Sequence, residues 1–469
     1  MYQIDFNHPI HIHFIGIGGI SMSALAKLLA TRGFTISGSD WHQSDLTREL
    51  SASGIRVAIG QRAENITKDI DLVVYTAAVK EDNEEYCAAK EQGIPLMTRS
   101  VLLGQIMKQY PHAVGIAGTH GKTTTTSILS VLLLAGKKDP TIAVGGVLDL
   151  IGGNLRIGGP DYFVAEACEY TNSFLDFYPS DVVILNIEED HLDFFKDLDD
   201  IRHSFAEYVK LVPSTGTAYV NAEIADYETL FSDASCSIAS YGLLEGSTDL
   251  SAPESPYTYA AANISYDENG CGSFDLIVEN RFLGRIRMGL IGRHNVSNAL
   301  PAIALALKYG VSLETIRTAL TDFTGTRRRF EYKGTLGGVR IYDDYAHHPT
   351  EITATLTSAA NFAHNRIITV FQPHTYTRTK ALFQDFATSL ALSDVVVLAE
   401  IYAARETNTL GISSQDLAEE ISKKGKEVYY FKTFDEIENF LLRFCSEGDL
   451  LITMGAGDIV NVAESLLGQ

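Results

Sequence analysis

Short apolar runs alternate with amphipathic stretches along the first part of the chain. Ile12, Phe14 and Ile15 form a run that is typical of a buried strand, and residues 21–32 carry a helical pattern that ends at Gly33. Further strands are predicted at residues 34–36 and 71–75. Because strands that alternate with helices are joined by crossover connections, this pattern predicts a parallel α/β unit that ends near residue 110.

Two more α/β units follow. The second has a helix after its first strand, a Ser-, Asp- and Gly-rich stretch at residues 232–256 that we expect to form loops, and an antiparallel flap. Its strands are predicted at residues 113–117, 162–165, 182–187, 273–278 and 285–289, and its helices at 123–135, 199–211 and 295–309. In the third unit, helices starting near residues 350, 379 and 414 alternate with strands at 340–342, 367–371, 395–398, 428–431 and 450–454. We therefore predict three α/β domains, over residues 1–110, 111–326 and 327–469.

Length and composition agree with this organisation. At about 150 residues per domain, 469 residues correspond to about three domains. A hydrophobic content of 45% excludes a disordered or fibrous protein. The net charge of −22 argues against nucleic-acid binding, which relies on a basic surface.

The cysteines and the apolar runs bear on the cellular compartment. The five cysteines are scattered and include no C-x-x-C pair, so a disulfide framework is not expected and a reducing cytoplasm fits best. The first ten residues have no basic stretch leading into an apolar core, and no aliphatic run approaches about 18 residues. We expect no secretory signal and no membrane span.

The strongest chemical signal is a glycine-rich segment between a predicted strand and helix. Glycines leave backbone amides free to face a phosphate, and a helix N-terminus adds positive potential. In such a loop the Lys122 ammonium would reach the terminal phosphates and the Thr123 hydroxyl would bind Mg²⁺. The segment departs from the Walker pattern, because Ile116 stands where the first glycine should be, and the alternative is a tight turn. It consists of Gly118, Thr119, His120, Gly121, Lys122, Thr123 and Thr124.

Acidic residues follow two other strands of the same unit. Glu166 and Glu169 come after the strand at 162–165, and an acidic segment around His191 comes after the strand at 182–187. Each cluster alone is explained by a solvated strand end. Their occurrence in the unit that carries the phosphate loop favours metal ligands, since strand ends of a parallel sheet meet at one edge. The acidic neighbours of His191 are Glu188, Glu189, Asp190 and Asp193.

The N-terminal unit carries a second glycine loop. It resembles the dinucleotide-binding fingerprint, with Ser21 in place of the third glycine and Asp40 at the end of the second strand. A packing turn is the alternative, but beside a phosphate loop the pattern favours two nucleotide-like ligands, one for energy and one as substrate. The loop residues are Gly16, Gly18, Gly19 and Ser21.

The third unit begins with a basic triplet, Arg327 to Arg329, that we expect to face a phosphate in so acidic a chain. The strand at 340–342 then leads into two Asp and two His residues. A zinc site is disfavoured because adjacent His side chains diverge, and a loop that binds polar groups of a nucleotide or substrate is preferred. The residues concerned are Asp343, Asp344, Tyr345, His347 and His348, followed later by a donor-rich segment at 374–380.

Together these segments resemble the Mur ligase family, the ATP-dependent amide ligases of peptidoglycan precursor synthesis, and within it the branch that adds L-alanine. The resemblance runs over essentially the whole chain. It rests on FIGIGGISMS, SGSD, GTHGKTTT, EACE, NIEEDHLD, GRHNVSNA, RRRFE, YDDYAHHPTE, FQPHTYTRT and EIYAARE, in this order. It implies a Rossmann-like N-terminal domain for the UDP moiety, a central P-loop ATPase-type domain, and a C-terminal Rossmann-like domain that closes over the site.

The resemblance also implies roles for single residues. Lys122 is assigned to the ATP phosphates, Thr123 and Glu166 to one Mg²⁺, and His191 to a second Mg²⁺ shared with the substrate carboxylate; Mn²⁺ is an alternative metal. The nucleotide would be contacted by Asn295 and Asn298, and by Arg329 and Asp344 from the C-terminal domain. Near the incoming amino acid and the phosphorylated carboxylate would lie Tyr345, His347 and Arg378, with His347 as the candidate base. Other family members use a carbamylated lysine, but residues 201–208 contain none, which fits the alanine-adding branch.

The implied substrates are UDP-N-acetylmuramate, L-alanine and ATP, which react through an acyl phosphate, and the enzyme would be a monomer or a homodimer. Three alternatives remain. A murein tripeptide ligase acts on the same UDP-sugar, although GIGGISMS and HTYTRT are closer to the alanine-adding enzymes. A nucleotide switch would hydrolyse ATP without an amine, and a nicotinamide oxidoreductase would follow from the N-terminal fingerprint alone.

Overall fold

The alternation of strands and helices builds three β-sheets along the chain. The computed structural model describes residues 2–76, 78–192, 194–404 and 406–469. The three-domain α/β architecture predicted from the sequence is confirmed. The domain limits at residues 110 and 326 remain predictions.

The N-terminal sheet is parallel, with strand order β3-β2-β1-β4-β5. Because the order reverses between β1 and β4, a crevice opens at the carboxyl end of β1, where the first glycine loop lies. The strands are β1 (His11–Ile15), β2 (Thr35–Asp40), β3 (Arg56–Ile59), β4 (Leu72–Tyr75) and β5 (Leu96–Thr98). The helices are α1 (Ile20–Thr31), α2 (Asp45–Ala52), α3 (Glu84–Glu91) and α4 (Arg99–Met107), with a short 3₁₀ helix at Ala63–Asn65.

The central sheet has ten strands in the order β15-β14-β13-β12-β11-β10-β6-β9-β7-β8. The strands are β6 (His112–Ala117), β7 (Thr141–Leu148), β8 (Gly153–Arg156), β9 (Tyr162–Glu166), β10 (Asp181–Ile184), β11 (Thr217–Asn221), β12 (Ser237–Leu243), β13 (Tyr259–Tyr266), β14 (Cys271–Val278) and β15 (Arg281–Ile291). The helices are α5 (Lys122–Ala135), α6 (Leu198–Lys210), α7 (Tyr227–Leu230), α8 (Arg293–Lys308) and α9 (Leu313–Asp322), with 3₁₀ helices at Asp149–Ile151 and Tyr170–Asp176.

One prediction for this region was wrong. The stretch at 232–256 was expected to form loops, yet β12 lies within it and pairs in parallel with β11 and β13. Its sequence, SIASYGL, is half small and polar, so it lacks the apolar run that marks a strand. The predicted antiparallel pairing is confirmed: β14 and β15 pair antiparallel with each other and extend the central sheet from β13.

The C-terminal sheet is parallel except for the edge strand β16, with strand order β16-β17-β21-β18-β19-β20. The strands are β16 (Glu331–Leu336), β17 (Val339–Asp344), β18 (Ile367–Phe371), β19 (Val395–Leu398), β20 (Glu427–Tyr430) and β21 (Leu450–Met454). The helices are α10 (Pro349–Ala359), α11 (Tyr376–Ala381), α12 (Phe383–Leu390), α13 (Ser414–Lys423), α14 (Phe434–Phe444) and α15 (Val460–Leu467). Apolar side chains fill both faces of this sheet, as a doubly wound fold requires.

The N-terminal and central sheets share one apolar core. Leu102 and Ile106 of α4 belong to the same buried cluster as Phe163 of β9 and Phe174. Burying such side chains contributes about 2 kcal/mol each, so this shared core fixes the two sheets against each other. In the part of the chain that the structure describes, no helix is long and apolar enough to cross a bilayer.

Candidate active site

The phosphate loop connects β6 to α5 and is shaped by two glycines in left-handed conformations. Gly118 has φ of 147° and Gly121 has φ of 82°. A Cβ on Gly121 would lie 2.7 Å from Oδ1 of Asn298, and one on Gly118 would lie 2.8 Å from Cβ of Leu185. The loop therefore needs glycine both for its backbone conformation and for its close approach to α8.

Lys122 is the first residue of α5, and its ammonium is held inside the loop. Nζ donates to the carbonyl oxygens of Gly118 and Thr119, the latter at 3.2 Å, and to Oε2 of Glu169 at 3.0 Å. Burial alone would lower the pKa of Lys122, but the Glu169 carboxylate outweighs it and the pKa is raised. The predicted phosphate-binding lysine thus stays charged, with a carboxylate as its partner.

The predicted magnesium ligands Thr123 and Glu166 lie on neighbouring elements. Thr123 is in the first turn of α5 and is buried, and its Oγ1 accepts from Nη2 of Arg329 at 3.4 Å. Glu166 ends β9, where its carboxylate accepts from the backbone N–H of Gly145 on β7. The two oxygen ligands thus come from the start of α5, which follows the phosphate loop, and from the end of β9, which pairs with the strand that precedes it.

His191 follows β10 in a left-handed conformation, with φ of 54°. Its Nε2 lies 3.9 Å from Oε1 of Glu169 and 3.8 Å from Oδ2 of Asp190. The ring packs on Tyr170 with centroids 4.6 Å apart. Glu169 therefore stands between Lys122 and His191 and brings these two predicted residues together. Asp193, the remaining acidic neighbour, lies outside the described residues.

The basic triplet does not act as one patch. Arg327 is exposed and pairs with Asp149 at 2.8 Å. Arg328 binds within its own domain, to Asp343 at 3.0 Å and to carbonyls after β21. Arg329 alone reaches the phosphate loop, at Thr123. Of the three arginines, Arg329 is therefore the one that we still expect to face a phosphate.

No individual role is predicted from the sequence for His120 and Glu351, which meet between the central and C-terminal sheets. His120, in the phosphate loop, has Nδ1 3.2 Å from Oε1 of Glu351, in the first turn of α10, and Nε2 3.5 Å from Oε2 of Glu188. Burial lowers the pKa of His120, but the two carboxylates outweigh it and raise the pKa to about 9. The Glu351 pKa is well below its usual range, despite burial, because His347, His120 and Arg329 surround its carboxylate.

The sequence places Glu351 in the first turn of a predicted helix. That position does not by itself indicate a functional residue, because acidic residues favour the first turn of any helix. His348 caps the same helix: its Nδ1 accepts from the backbone N–H of Thr350 at 3.3 Å. Thr350 in turn donates to Oε2 of Glu188 at 2.6 Å. The N-terminus of α10 is thereby fixed against the loop after β10.

His120, Glu188 and His348 are also the one group of three potential metal-ligand atoms found within 4.8 Å of one another in the described chain. The cap bond to Nδ1 of His348 leaves the proton on Nε2, so that nitrogen offers no lone pair to a metal. The adjacent His residues do diverge, since His347 donates from Nδ1 to the Tyr345 carbonyl at 3.0 Å. The preference against zinc stays a prediction.

Arg378 of α11 reaches the central domain. Its Nη2 donates to Oδ1 of Asp190 at 2.9 Å, and its Nη1 lies 3.3 Å from Nδ1 of His374. His347 and His374 have ring centroids 6.0 Å apart, and Tyr345 packs against His347 at 5.6 Å. The residues predicted to lie near the amino acid therefore form one group. Burial lowers the pKa of His347 to about 4, so its imidazole is neutral at pH 7.

Six of the residues predicted to bind the nucleotide line one cavity of about 560 Å³ between the phosphate loop, α8 and α10. This volume is in the range of small-molecule and cofactor sites. Asp344, at the end of β17, is buried, which raises its pKa to about 6, and its carboxylate accepts from Thr355 at 2.9 Å. The cavity brings together Gly121, Thr124, Asn295, Asn298, Arg329 and Asp344.

The N-terminal glycine loop contacts Asp40 at the end of β2. Oδ2 of Asp40 accepts from the backbone N–H of Gly18 at 2.9 Å, and a Cβ on Gly18 would lie 2.8 Å from that oxygen. Gly16 has φ of 82°, and Gly19 precedes α1 without a side-chain cap. Ser21, in the first turn of α1, accepts from Nη1 of Arg99 at 3.0 Å. The open N-terminus of α1 thus faces the crevice of this sheet.

Comparison with known proteins places these features in a family. The model described as "Mur ligase family, catalytic domain" matches residues 11–111, the "Mur ligase middle domain" matches residues 116–306, and the "Mur ligase, glutamate ligase domain" matches residues 328–457. Together the three models span each of the sheets described above.

Full-length relatives agree. The chain is 57% identical over 467 residues to a UDP-N-acetylmuramate–L-alanine ligase of Lachnospira eligens, with 100% of both chains covered. It is 48% identical to the enzyme of the same name in Caldanaerobacter subterraneus, covering 100% of this chain and 99% of that protein. Among solved structures, the UDP-N-acetylmuramate–alanine ligase of Thermotoga maritima has a TM-score of 0.79 at 28% identity, with 98% of each chain covered. The chain belongs to the Mur ligase family.

Proposed function

We propose that this protein joins L-alanine to the lactyl carboxylate of UDP-N-acetylmuramate, with ATP converted to ADP and phosphate. The observation that carries the proposal is the contact between Arg329 of the C-terminal domain and Thr123 beside Lys122 of the phosphate loop. This contact supports the proposal because it brings Arg329 close to the phosphate loop that holds Lys122, and we propose that the transferred phosphoryl group lies between these two basic groups. The full-length relatives named for this reaction support the same assignment.

In the first step, a carboxylate oxygen of the sugar attacks the γ-phosphorus of ATP, and ADP leaves. Both reactants are anions, so the barrier is largely charge repulsion, which basic groups reduce. Lys122 is charged and bound to Glu169, and in this proposal it exchanges that carboxylate for the β- and γ-phosphates. Arg329 supplies the second positive charge from the closing domain.

The donors around the loop fit magnesium. Thr123 offers a hydroxyl and Glu166 a carboxylate, which are hard oxygen ligands of the kind that Mg²⁺ prefers. His191, beside Glu169 and Asp190, adds an imidazole, a ligand that also suits Mn²⁺. When bound, these ions would neutralise phosphate charge and orient the carboxylate.

In the second step, the neutral amine of L-alanine attacks the acyl phosphate, and phosphate leaves from the tetrahedral intermediate. We assign Arg378 to the alanine carboxylate, because its guanidinium is held by Asp190 next to His374. His347 is the proposed base, since its Nδ1–H is bonded to the Tyr345 carbonyl and its Nε2 carries the lone pair. Closure of the C-terminal domain would keep water from the acyl phosphate.

A second candidate is a ligase that adds a peptide to the same UDP-sugar. The murein peptide ligase of Psychrobacter arcticus has a TM-score of 0.69 and 26% identity, with 98% of each chain covered. The two activities differ only in the amine, so a competition between L-alanine and the tripeptide decides between them.

The test of the proposal is phosphate release measured with ATP, Mg²⁺ and UDP-N-acetylmuramate while single amino acids are varied. We expect release to require both the UDP-sugar and L-alanine, and to take place in the cytoplasm in the cell. Hydrolysis that continues at the same rate without an amine would identify a nucleotide switch instead. A requirement for the tripeptide would identify the second candidate.

A further inference from the structure

A second cavity, of about 230 Å³, lies between the N-terminal and central sheets. Its walls are mostly apolar, with Leu25 and Leu28 of α1, Leu103 of α4 and Phe163 of β9 among them. Such walls lower the local dielectric and strengthen any charge interaction inside. The polar side chains that line it include Ser21, Arg99, Asn154, Glu166 and Ser173.

Arg99, the first residue of α4, is the cationic group of this cavity. A guanidinium has five N–H donors, yet in the described chain its side chain makes one hydrogen bond, from Nη1 to Oγ of Ser21. No carboxylate oxygen of a described residue lies within 4.0 Å of it. Burial accordingly lowers the pKa of Arg99.

Three other half-buried arginines of the chain bind a carboxylate: Arg328 binds Asp343 at 3.0 Å, Arg366 binds Asp449 at 2.6 Å, and Arg378 binds Asp190 at 2.9 Å. Half-buried arginines without a carboxylate also occur, but Arg32, Arg202 and Arg340 each bind a hydroxyl or carbonyl oxygen and line neither of the two cavities. A desolvated charge without a counter-charge is costly, so a guanidinium that keeps one inside a cavity favours a ligand that supplies the opposite charge. Arg99 lacks the protein carboxylate that Arg328, Arg366 and Arg378 have.

The position of the cavity indicates which ligand. Ser21 of the N-terminal glycine loop and Glu166, the proposed magnesium ligand, both line this cavity together with Arg99. A substrate that occupies the cavity from the glycine loop to the metal would therefore meet Arg99. The UDP-sugar of the proposed function has two kinds of anion on that path, its diphosphate and its lactyl carboxylate, and a guanidinium fork matches the oxygens of either.

We propose that Arg99 binds an oxyanion of the UDP-sugar in the cavity between α1, α4 and β9. This inference rests on the proposed function. It adds a substrate-binding residue that lies outside the motifs on which the family resemblance rests. Arg99 positions the substrate and takes no part in proton or phosphoryl transfer.

The test is calorimetric binding of UDP-N-acetylmuramate and UDP-N-acetylglucosamine, which lacks the lactyl carboxylate, to the full chain without ATP. We expect Arg99→Met to weaken UDP-N-acetylmuramate binding at least tenfold, and Arg99→Lys to weaken it less, since the ammonium keeps the charge but not the fork. Equal weakening for both ligands assigns Arg99 to the diphosphate, and weakening confined to UDP-N-acetylmuramate assigns it to the carboxylate.

The matched control is Arg56→Met, at an exposed arginine at the amino end of β3, opposite the edge that carries the loops. Its affinity should equal that of the wild type. If Arg99→Met binds UDP-N-acetylmuramate within twofold of the wild type, the inference is wrong while the proposed function stands. If the wild type itself does not bind this ligand, the proposed function fails first. Should Arg99→Met not fold, Arg99→Gln, which can retain a bond to Ser21, replaces it under the same criteria.

Discussion

At the residue scale, charged groups near the phosphate loop are already paired with protein groups that a substrate would replace or join. Lys122 is held by Glu169, and His120 by Glu351 and Glu188. These pairs keep the cations charged inside a buried site. A substitution that removes one member of such a pair therefore leaves the other member as a buried charge without its partner.

Lys122→Ala should reduce ADP release at least about 100-fold, because it removes the cation opposite the γ-phosphate. It also leaves Glu169, whose side chain is 3% exposed, without its lysine, so we expect thermal stability to fall as well. The double variant Lys122→Ala/Glu169→Gln removes the orphaned charge and should recover stability but not activity. Near-normal turnover by either variant would refute the assignment of Lys122.

His120 gives a stability effect that depends on pH. Its pKa is about 9 in the folded protein against about 6.5 unfolded, so its ion pairs stabilise fully below pH 6.5 and are lost as the pH rises through 9. His120 is faced by Glu351, Glu188 and the His348 ring. Relative to His120→Gln, we expect the wild type to be more stable by on the order of 1–3 kcal/mol near pH 6 and to lose that advantage by pH 10.

Thermal unfolding of both proteins between pH 6 and 10 measures this difference directly. His8→Gln serves as the control, since the His8 side chain is 84% exposed and its ion pair among the described residues is with Asp5. A difference between the wild type and His120→Gln that stays constant over this pH range would contradict the prediction.

At the scale of elements, features encoded within a few consecutive residues could be predicted from the sequence. The phosphate loop is one, because the apolar run of β6, the glycines and the apolar face of α5 are contiguous. β12 could not be predicted in this way. It is a strand because β11 and β13 lie on either side of it, and its own sequence carries little apolar pattern.

Gly121 offers a test of how tightly the loop is defined. Gly121 has φ of 82°, and the Cβ of Gly121→Ala would lie 2.7 Å from Oδ1 of Asn298. Gly152 has a similar φ of 67°, but the Cβ of Gly152→Ala would have no atom of a described residue within 4 Å. Both variants should lose about 1 kcal/mol of stability from the left-handed backbone. Only Gly121→Ala should lose activity, by about tenfold or more, because the loop and α8 must separate. Equal activity in the two variants would show that the close approach is unimportant.

At the scale of the whole molecule, the sequence predicted which segments carry chemistry but not which of them touch. Asp344 and Asn298 were expected near the nucleotide, and they line one cavity. The pairing of His120 with Glu351 joins residues 231 positions apart by sequence number, and only the packing of the C-terminal sheet on the central one brings them together. The three adjacent arginines could not be told apart by residue type or spacing, and it was the family resemblance that assigned Arg329 to the nucleotide. In the structure each of the three has different partners, because the backbone turns each one separately.

Several contacts between the central and C-terminal domains are polar: Arg378 with Asp190, Thr350 with Glu188, and Arg329 with Thr123. Hydrogen bonds and ion pairs of this kind contribute about 1 kcal/mol each, so we expect the two domains to separate when substrates enter. We expect Arg378→Gln, which breaks the charged pair, to increase the radius of gyration in small-angle scattering without nucleotide. Arg285→Gln is the matched control, because Arg285 pairs with Asp275 at 3.2 Å within the central sheet. An unchanged radius for Arg378→Gln would mean that the Arg378–Asp190 pair does not hold the domains closed, and that the other polar contacts suffice.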